Sequence, residues 1–287
     1  NEAWGNQARH NILVAHGKGV EAFRSFGFKE SKIGIVIDIW KRHALTLSLE
    51  DRQMVIDEDE RNWKFYTDPV LAGSYSDYII NKLSDEGTLM DIKEGDLKLI
   101  SQPTDYFGLN VYNRVMVSAD KKAAQDFSQG GNFLNNHTEY YPKAVYDAVH
   151  LLQDLYNIKI PIYISENGTY FKGVEQVNPS TNMIEDDDRI KYIKGFLEWL
   201  EKAIDEGFDI RGYYLWSLMD NFEWTAGSNY RFGIIHTNFE SQEQMWKKSA
   251  YWYKDFISDR CPYSKFHKGS IIMMKNSMKQ EKTGGNK

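Results

Sequence analysis

The sequence predicts an α/β protein of parallel strands, amounting to half of a (β/α)8 barrel. Short runs rich in β-branched and aromatic residues recur at 33–39, 106–112, 160–165 and 212–219, with helical stretches between them; this alternation is the signature of βα units and a parallel sheet. The first run, IGIVIDI, is of the kind buried on both faces by flanking helices. The count stops at four, whereas a closed barrel of this kind needs eight strands in roughly 250 residues.

Taken in order, residues 7–26 form the first expected helix, with Ala8, Ile12, Ala15, Val20 and Phe23 near helical spacing and Gly27 after its end. Residues 2–7 read as the lead-in to it. After the strand at 33–39, amphipathic helical pieces are expected at 62–71 and 75–83, separated by Gly73. The second strand, 106–112, precedes an excursion at 118–138 rich in Gly, Asn, Gln and Ser. Pro142 suits the first residue of a helix whose Val145, Val149, Leu152 and Tyr156 share a face. Beyond the third strand and a loop at 172–183, the acidic run Glu185, Asp186, Asp187 and Asp188 reads as the capped N-terminus of a helix continued by Ile190, Ile193, Leu197, Leu200 and Ile204. Metal binding is the alternative for that cluster. The fourth strand, a closing helix at 249–257 and a polar tail from Lys268 complete the chain, so residues 1–267 are expected to form the folded portion.

A hydrophobic content of 41% in 287 residues supports a sizeable core, and a net charge of -6 offers no basic footprint for nucleic acid or an anionic membrane surface. No apolar run approaches the roughly 20 residues that span a bilayer. One cysteine, Cys261, forms no internal disulfide framework; it reads as a structural thiol and fits a reducing, cytoplasmic setting. The sequence contains no glycine-rich phosphate loop and no HExxH zinc motif, so neither cofactor nor metal is expected. Aromatic residues reach 14%, which suits stacking on sugar rings and equally suits the interior of a large barrel.

The strand ends carry the chemistry. In a parallel barrel the C-terminal ends of strands line the active-site mouth. Asn110 and Tyr112 close the second strand and Glu166 and Asn167 the third, while Trp216, Asp220, Asn221, Glu223 and Trp224 follow from the fourth. Any one of these could be a hydrogen-bonded loop residue. Their recurrence at equivalent positions points to a site.

ISENG at 164–168, LWSLMDNFEW at 215–224, YRFGIIH at 230–236, DYFGLNVY at 105–112 and HNILVAH at 10–16 occur in this order. The chain thereby resembles the C-terminal part of glycoside hydrolase family 1, a TIM-barrel family of retaining β-glycosidases, in which β-glucosidases are prominent. The resemblance implies that Glu166 is the nucleophile, attacking the anomeric carbon to give a covalent glycosyl-enzyme. Tyr112 is then its hydrogen-bonding partner and Asn110 a neighbour holding that region. Glu223 and Trp224 bind outer hydroxyls of the nonreducing sugar, Trp216 stacks beneath its ring and Phe232 walls the pocket. A carboxylate at Glu223 accepts hydroxyl hydrogen bonds but repels phosphate, which favours unphosphorylated β-glycosides or oligosaccharides.

The pattern departs from the family in three places. A retaining glycosidase needs a second carboxyl group roughly 5 Å from the nucleophile as acid/base. The family supplies it from an N-E-P segment, and NEAW at 1–4 tempts the assignment to Glu2; without a preceding strand or the proline, the acid/base is expected outside this chain. Thr138 stands where many members have tryptophan beside the leaving group, and Asp38 where asparagine is common. Expected partners are therefore small glycosides, the missing N-terminal half or a second copy. A noncatalytic carbohydrate-binding or scaffold half barrel is the alternative class.

Overall fold

The computed structural model describes residues 1–129, 139–172 and 175–260. Thr138, Cys261 and the expected tail lie outside them. The described chain falls into two compact units, the first built from residues up to 129 with 143–161, the second from 139–142 with 162 onward.

In the first unit, helix α1 (Glu2–Ser25) starts earlier than its apolar periodicity predicts, because the Asn1 side chain caps it by accepting from the Ala3 amide at 3.1 Å. Glu2 is thus a first-turn acid, paired with Arg61 at 3.4 Å, and not part of a lead-in segment. The buried face of α1 runs through Asn6, His10, Leu13, Gly17 and Val20, at helical spacing, and leaves Ile12 and Ala15 exposed. His10 is enclosed between the Tyr75 hydroxyl at 2.9 Å and Asp96 at 3.1 Å. Around it Leu13, Phe65, Val70, Ile79, Leu83, Met90 and Ile100 form the core of this unit.

Strand β1 (Gly34–Asp38) pairs in parallel with β2 (Tyr106–Asn110), in register from Gly34 with Tyr106 to Asp38 with Asn110. Asp105 sets the entry, accepting from the Ile33 amide at 2.7 Å and pairing with Arg24 at 3.0 Å; the Arg24 guanidinium beside it holds its carboxyl below the usual range. Helix α2 (Leu49–Arg61) was not expected, since LEDRQMVIDEDER has little apolar periodicity. It is fixed by polar contacts instead. Ser48 caps it, accepting from the Asp51 amide at 3.0 Å, and buried Asp51 gathers the Thr46 hydroxyl and amide, the Ser118 hydroxyl and the Ala119 amide.

The helical piece expected at 62–71 is an α-turn, Lys64–Thr67, passing into a π-turn, Asp68–Ala72, that ends at Gly73 with φ 74°. Ser76 then caps α3 (Asp77–Asp85). The excursion at 118–138 contains a helix, Lys121–Gln129. Helix α4 (Ala144–Tyr156) begins two residues beyond Pro142 and buries Val145, Val149 and Leu152 as predicted.

In the second unit β3 (Ile162–Asn167) and β4 (Ile210–Leu215) run parallel, with Ile162 opposite Ile210 and Asn167 opposite Leu215. Helix α5 (Asp187–Asp205) connects them and buries Tyr192, Ile193, Phe196, Leu197 and Leu200. The acidic run does not cap α5 as expected: Asp186 makes no capping bond, because its carboxylate receives the Arg189 Nε at 2.8 Å and the Ser249 hydroxyl at 2.6 Å. Asp187 and Asp188 do supply the favourable first-turn charge. Strand β4 stops at Leu215, short of the expected 219, and the Trp216 amide then donates to the Asn167 carbonyl at 2.9 Å. Helix α6 (Lys248–Asp255) closes the unit. Among the described residues no helix is long and apolar enough to cross a membrane.

Candidate active site

Glu166 and Asn167 are the last two residues of β3, the C-terminal end where a parallel strand delivers chemistry. Asn167 is wholly buried, donating to the Tyr192 hydroxyl at 3.2 Å and accepting from Tyr213 at 2.7 Å. Burial pushes both phenols well above their ordinary range, so they act as neutral donors and acceptors. The residue after the half-buried Glu166 is therefore clamped in position. Gly168 adds a second constraint: a β-carbon there would lie 1.7 Å from the Trp216 carbonyl oxygen. Only glycine lets the two strand ends approach this closely. Gly168→Ala is expected to lose about 3 kcal/mol or more of stability, since a backbone oxygen cannot rotate away. A urea midpoint unchanged by the substitution would contradict this.

After Trp216 the chain makes a cis peptide to Ser217. The Ser217 amide donates to the Phe232 carbonyl at 3.3 Å, and the Ile234 amide donates back to the Ser217 carbonyl at 3.1 Å. Gly233 sits between them, where a β-carbon would fall 2.2 Å from the Asp220 nitrogen. The segments predicted to carry Trp216 and Phe232 are thus joined through their backbones. Phe232 also meets Tyr170, its ring centroid 5.2 Å away, and Tyr170 stacks flat on Tyr230 at 4.2 Å.

Glu223 is held by a short relay. The Ser217 hydroxyl donates to the Met219 carbonyl at 2.7 Å and lies 3.2 Å from Asn221 Oδ1, and the Asn221 amide donates to Glu223 Oε2 at 2.9 Å. The Glu223 amide donates to the Gly227 carbonyl at 2.7 Å, closing a tight loop. Its tip, Trp224, is 83% exposed with φ 42°.

A buried ionic network lies beneath these loops. Arg189 donates to the Thr169 carbonyl at 2.9 Å, the Phe232 carbonyl at 3.0 Å and the Arg231 carbonyl at 3.0 Å, and it pairs with Asp186 at 2.8 Å and Glu175 at 3.5 Å. One guanidinium thereby ties the segment after Glu166 to the segment containing Phe232. Lys247 bonds Glu175 at 2.6 Å and Asp220 at 3.0 Å. Asp220 accepts from the Gly233 amide at 2.9 Å and the Thr237 amide at 3.3 Å. Burial and the nearby Arg189 push the Lys247 ammonium below its ordinary value, against the pull of Glu175 and Asp220.

Glu175, Asp220 and His236 place their donor atoms within 4.8 Å of one another, a grouping that could hold a metal ion. The Lys247 ammonium already bonds two of the three.

Of the residues singled out from the sequence, Glu166, Trp216, Glu223, Trp224 and Phe232 belong to the second unit, where the segments carrying Trp216 and Phe232 are joined backbone to backbone. Asn110 and Tyr112 belong to the first, with Asn110 ending β2 and the Tyr112 ring 6.0 Å from Trp40. Asp38 accepts from the Trp40 indole at 2.7 Å. Sequence reasoning missed Arg189, Lys247 and Glu175, and the stacked pair Tyr170 and Tyr230. A basic residue three positions after an acid reads as an ordinary helix pair, so Arg189 gave no distinguishing signal.

Parallel strands linked through helices, with Glu166 at the C-terminal end of one and Trp216 just past another, are the layout in which barrel enzymes place their catalytic residues. Residues 2–261 match the profile described as Glycosyl hydrolase family 1, and the chain belongs to that family. It is 36% identical over 259 residues to β-glucosidase A of Acetivibrio thermocellus, covering 88% of this chain and 57% of that protein. It is 31% identical over 290 residues to a 6-phospho-β-galactosidase of Staphylococcus haemolyticus, covering 88% of this chain and 60% of the relative. The crystal structure of a β-glucosidase from Exiguobacterium marinum superposes with a TM-score of 0.78 at 36% identity, covering 87% of this chain and 57% of the other. The chain therefore spans somewhat more than half the length of the relatives it matches.

Proposed function

We propose that the complete protein is a retaining exo-β-glycosidase, a β-glucosidase by preference, and that this chain is the C-terminal part of its barrel. The observation that carries the reading is Glu166 at the C-terminal end of a parallel strand, its neighbour Asn167 locked by the hydroxyls of Tyr192 and Tyr213. Attack by its carboxylate on the anomeric carbon expels the aglycone alkoxide, which takes a proton from an acid supplied by the rest of the barrel; water then cleaves the glycosyl ester with net retention. Tyr112 and Asn110 are assigned to the surroundings of the nucleophile. Glu223, steadied by Asn221, receives the outer hydroxyls, with Trp224, Trp216 and Phe232 as ring contacts.

The relatives include enzymes named for phosphorylated sugars, so the glycone class is a real choice. Glu223 favours the unphosphorylated one, because a carboxylate held by a neutral amide presents negative charge where a phosphate dianion would have to sit. A 2-deoxy-2-fluoroglucoside with a good leaving group tests the assignment, since the fluorine slows hydrolysis of the glycosyl ester and lets it accumulate. Peptide mapping of the complete protein is expected to find the label on Glu166. A label on another carboxylate overturns the proposal.

A further inference from the structure

We propose that Lys247 is a positioning residue for the sugar-binding loop, its ammonium serving as an internal cation that holds Asp220 and, through it, the segment bearing Glu223 and Trp224. The inference rests on the glycosidase reading for what the loop does, but the cation role stands on geometry alone.

Lys247 has no exposed surface, and its Nζ lies 2.6 Å from Glu175 Oε1 and 3.0 Å from Asp220 Oδ1. Glu175, Asp220 and His236 converge as metal ligands do, so the ammonium takes the place of a bound ion among them. Every charged group facing it has a partner in the same cluster: Glu175 meets His236 at 2.9 Å and Arg189 at 3.5 Å, while Asp220 meets His236 at 3.5 Å and Arg231 at 3.6 Å. Those pairings to Asp220 are longer than the Lys247 bond and do not replace it. Without the ammonium a fully buried carboxylate loses its closest counter-charge, which is strongly unfavourable. Asp220 must then shift toward water. That movement releases the Gly233 and Thr237 amides it accepts from, and it displaces the adjacent Asn221, whose amide orients Glu223 at 2.9 Å.

The test uses the complete protein, an aryl β-glucoside, and two variants. Lys247→Ala removes the ammonium and leaves space; Lys247→Gln keeps hydrogen-bonding capacity without charge. Both are expected to raise KM about 10-fold while kcat changes less than about 3-fold, the mark of lost ground-state binding. Zinc chloride or ethylammonium chloride is expected to raise the unfolding midpoint and lower KM of Lys247→Ala, with no such effect on the wild type or on Lys247→Gln. A merely structural lysine gives no cation-specific recovery. The proposal is overturned if KM of a folded variant stays within about twofold of wild type, or if neither cation restores Lys247→Ala. Should Lys247→Ala fold only with zinc present, that supports the internal cation; should it not fold at all, the KM of Lys247→Gln decides. If the wild type cleaves no β-glycoside, the glycosidase reading fails separately, and the zinc-dependent midpoint still judges the cation role.

Discussion

Glu166→Gln in the complete protein is expected to lower kcat for aryl β-glucosides by about 10⁴-fold or more, with little change in KM or in unfolding midpoint. A nucleophile that forms the covalent intermediate has no substitute among neutral side chains, and such losses are typically this large. Stability is largely spared because Glu166 is half-buried and glutamine keeps its shape and its capacity to hydrogen-bond. A sharper version uses Glu166→Gly, which leaves room for azide. With a dinitrophenyl β-glucoside, azide attacks the anomeric carbon from the vacated side and dinitrophenolate departs without protonation. The product is the α-glucosyl azide. Recovery of the β-azide, or residual glutamine-variant activity above about a hundredth of wild type, would remove Glu166 from the nucleophile role.

The 287-residue chain alone is expected to leave alkyl β-glucosides essentially untouched. On the C-terminal reading the acid/base group lies elsewhere in the barrel, and general acid catalysis contributes about 10²–10⁴-fold. Glu2 is not assigned that role, since it opens α1 and pairs with Arg61 at 3.4 Å. Further loss follows from exposed strand residues, Val36 at 51% on β1 and Tyr214 at 48% on β4, which a closed barrel would cover. Comparing a dinitrophenyl with a methyl glucoside separates the two effects, because the acidic phenol leaves unaided. Slow turnover of the former alone, abolished in Glu166→Ala, is the expected result. Efficient hydrolysis of the methyl glucoside by the purified chain would return attention to Glu2.

The parts of the fold legible in the sequence were those set by local periodicity. β1, β2 and β3 lie where their β-branched runs are, and α4 and α5 bury largely the residues their spacing predicts. Helix α2 was not legible, because it lacks apolar periodicity and buried Asp51, Asp59 and Glu60 tie it to Ala119, Arg42 and Ser76, which are distant in sequence. The over-long fourth strand has a related cause. GYYLWSLM is almost wholly apolar, yet from Ser217 onward its backbone bonds to the Phe232–Ile235 segment in place of a neighbouring strand. The site divides in the same way: Glu166, Trp216 and Glu223 stand in recognisable strings, whereas Lys247 and Glu175 are 72 positions apart and become partners only on folding. Charge pairs across such distances have no periodic trace.

The grip of Arg189 on three backbone carbonyls bears on how this chain can exchange segments with its relatives. A recombinant that inherits β3 and the stretch through Thr169 from one parent and the stretch from Asp220 onward from another still contains Glu166, Glu223, Trp224 and Phe232. The guanidinium, however, reads carbonyl positions as well as the Asp186 and Glu175 side chains, so a backbone mismatch between the parents unseats Thr169, Arg231 and Phe232 together. Crossovers placed outside the span from β3 to Lys247 keep this assembly of one ancestry; those placed within it divide an object that the backbone treats as a single piece.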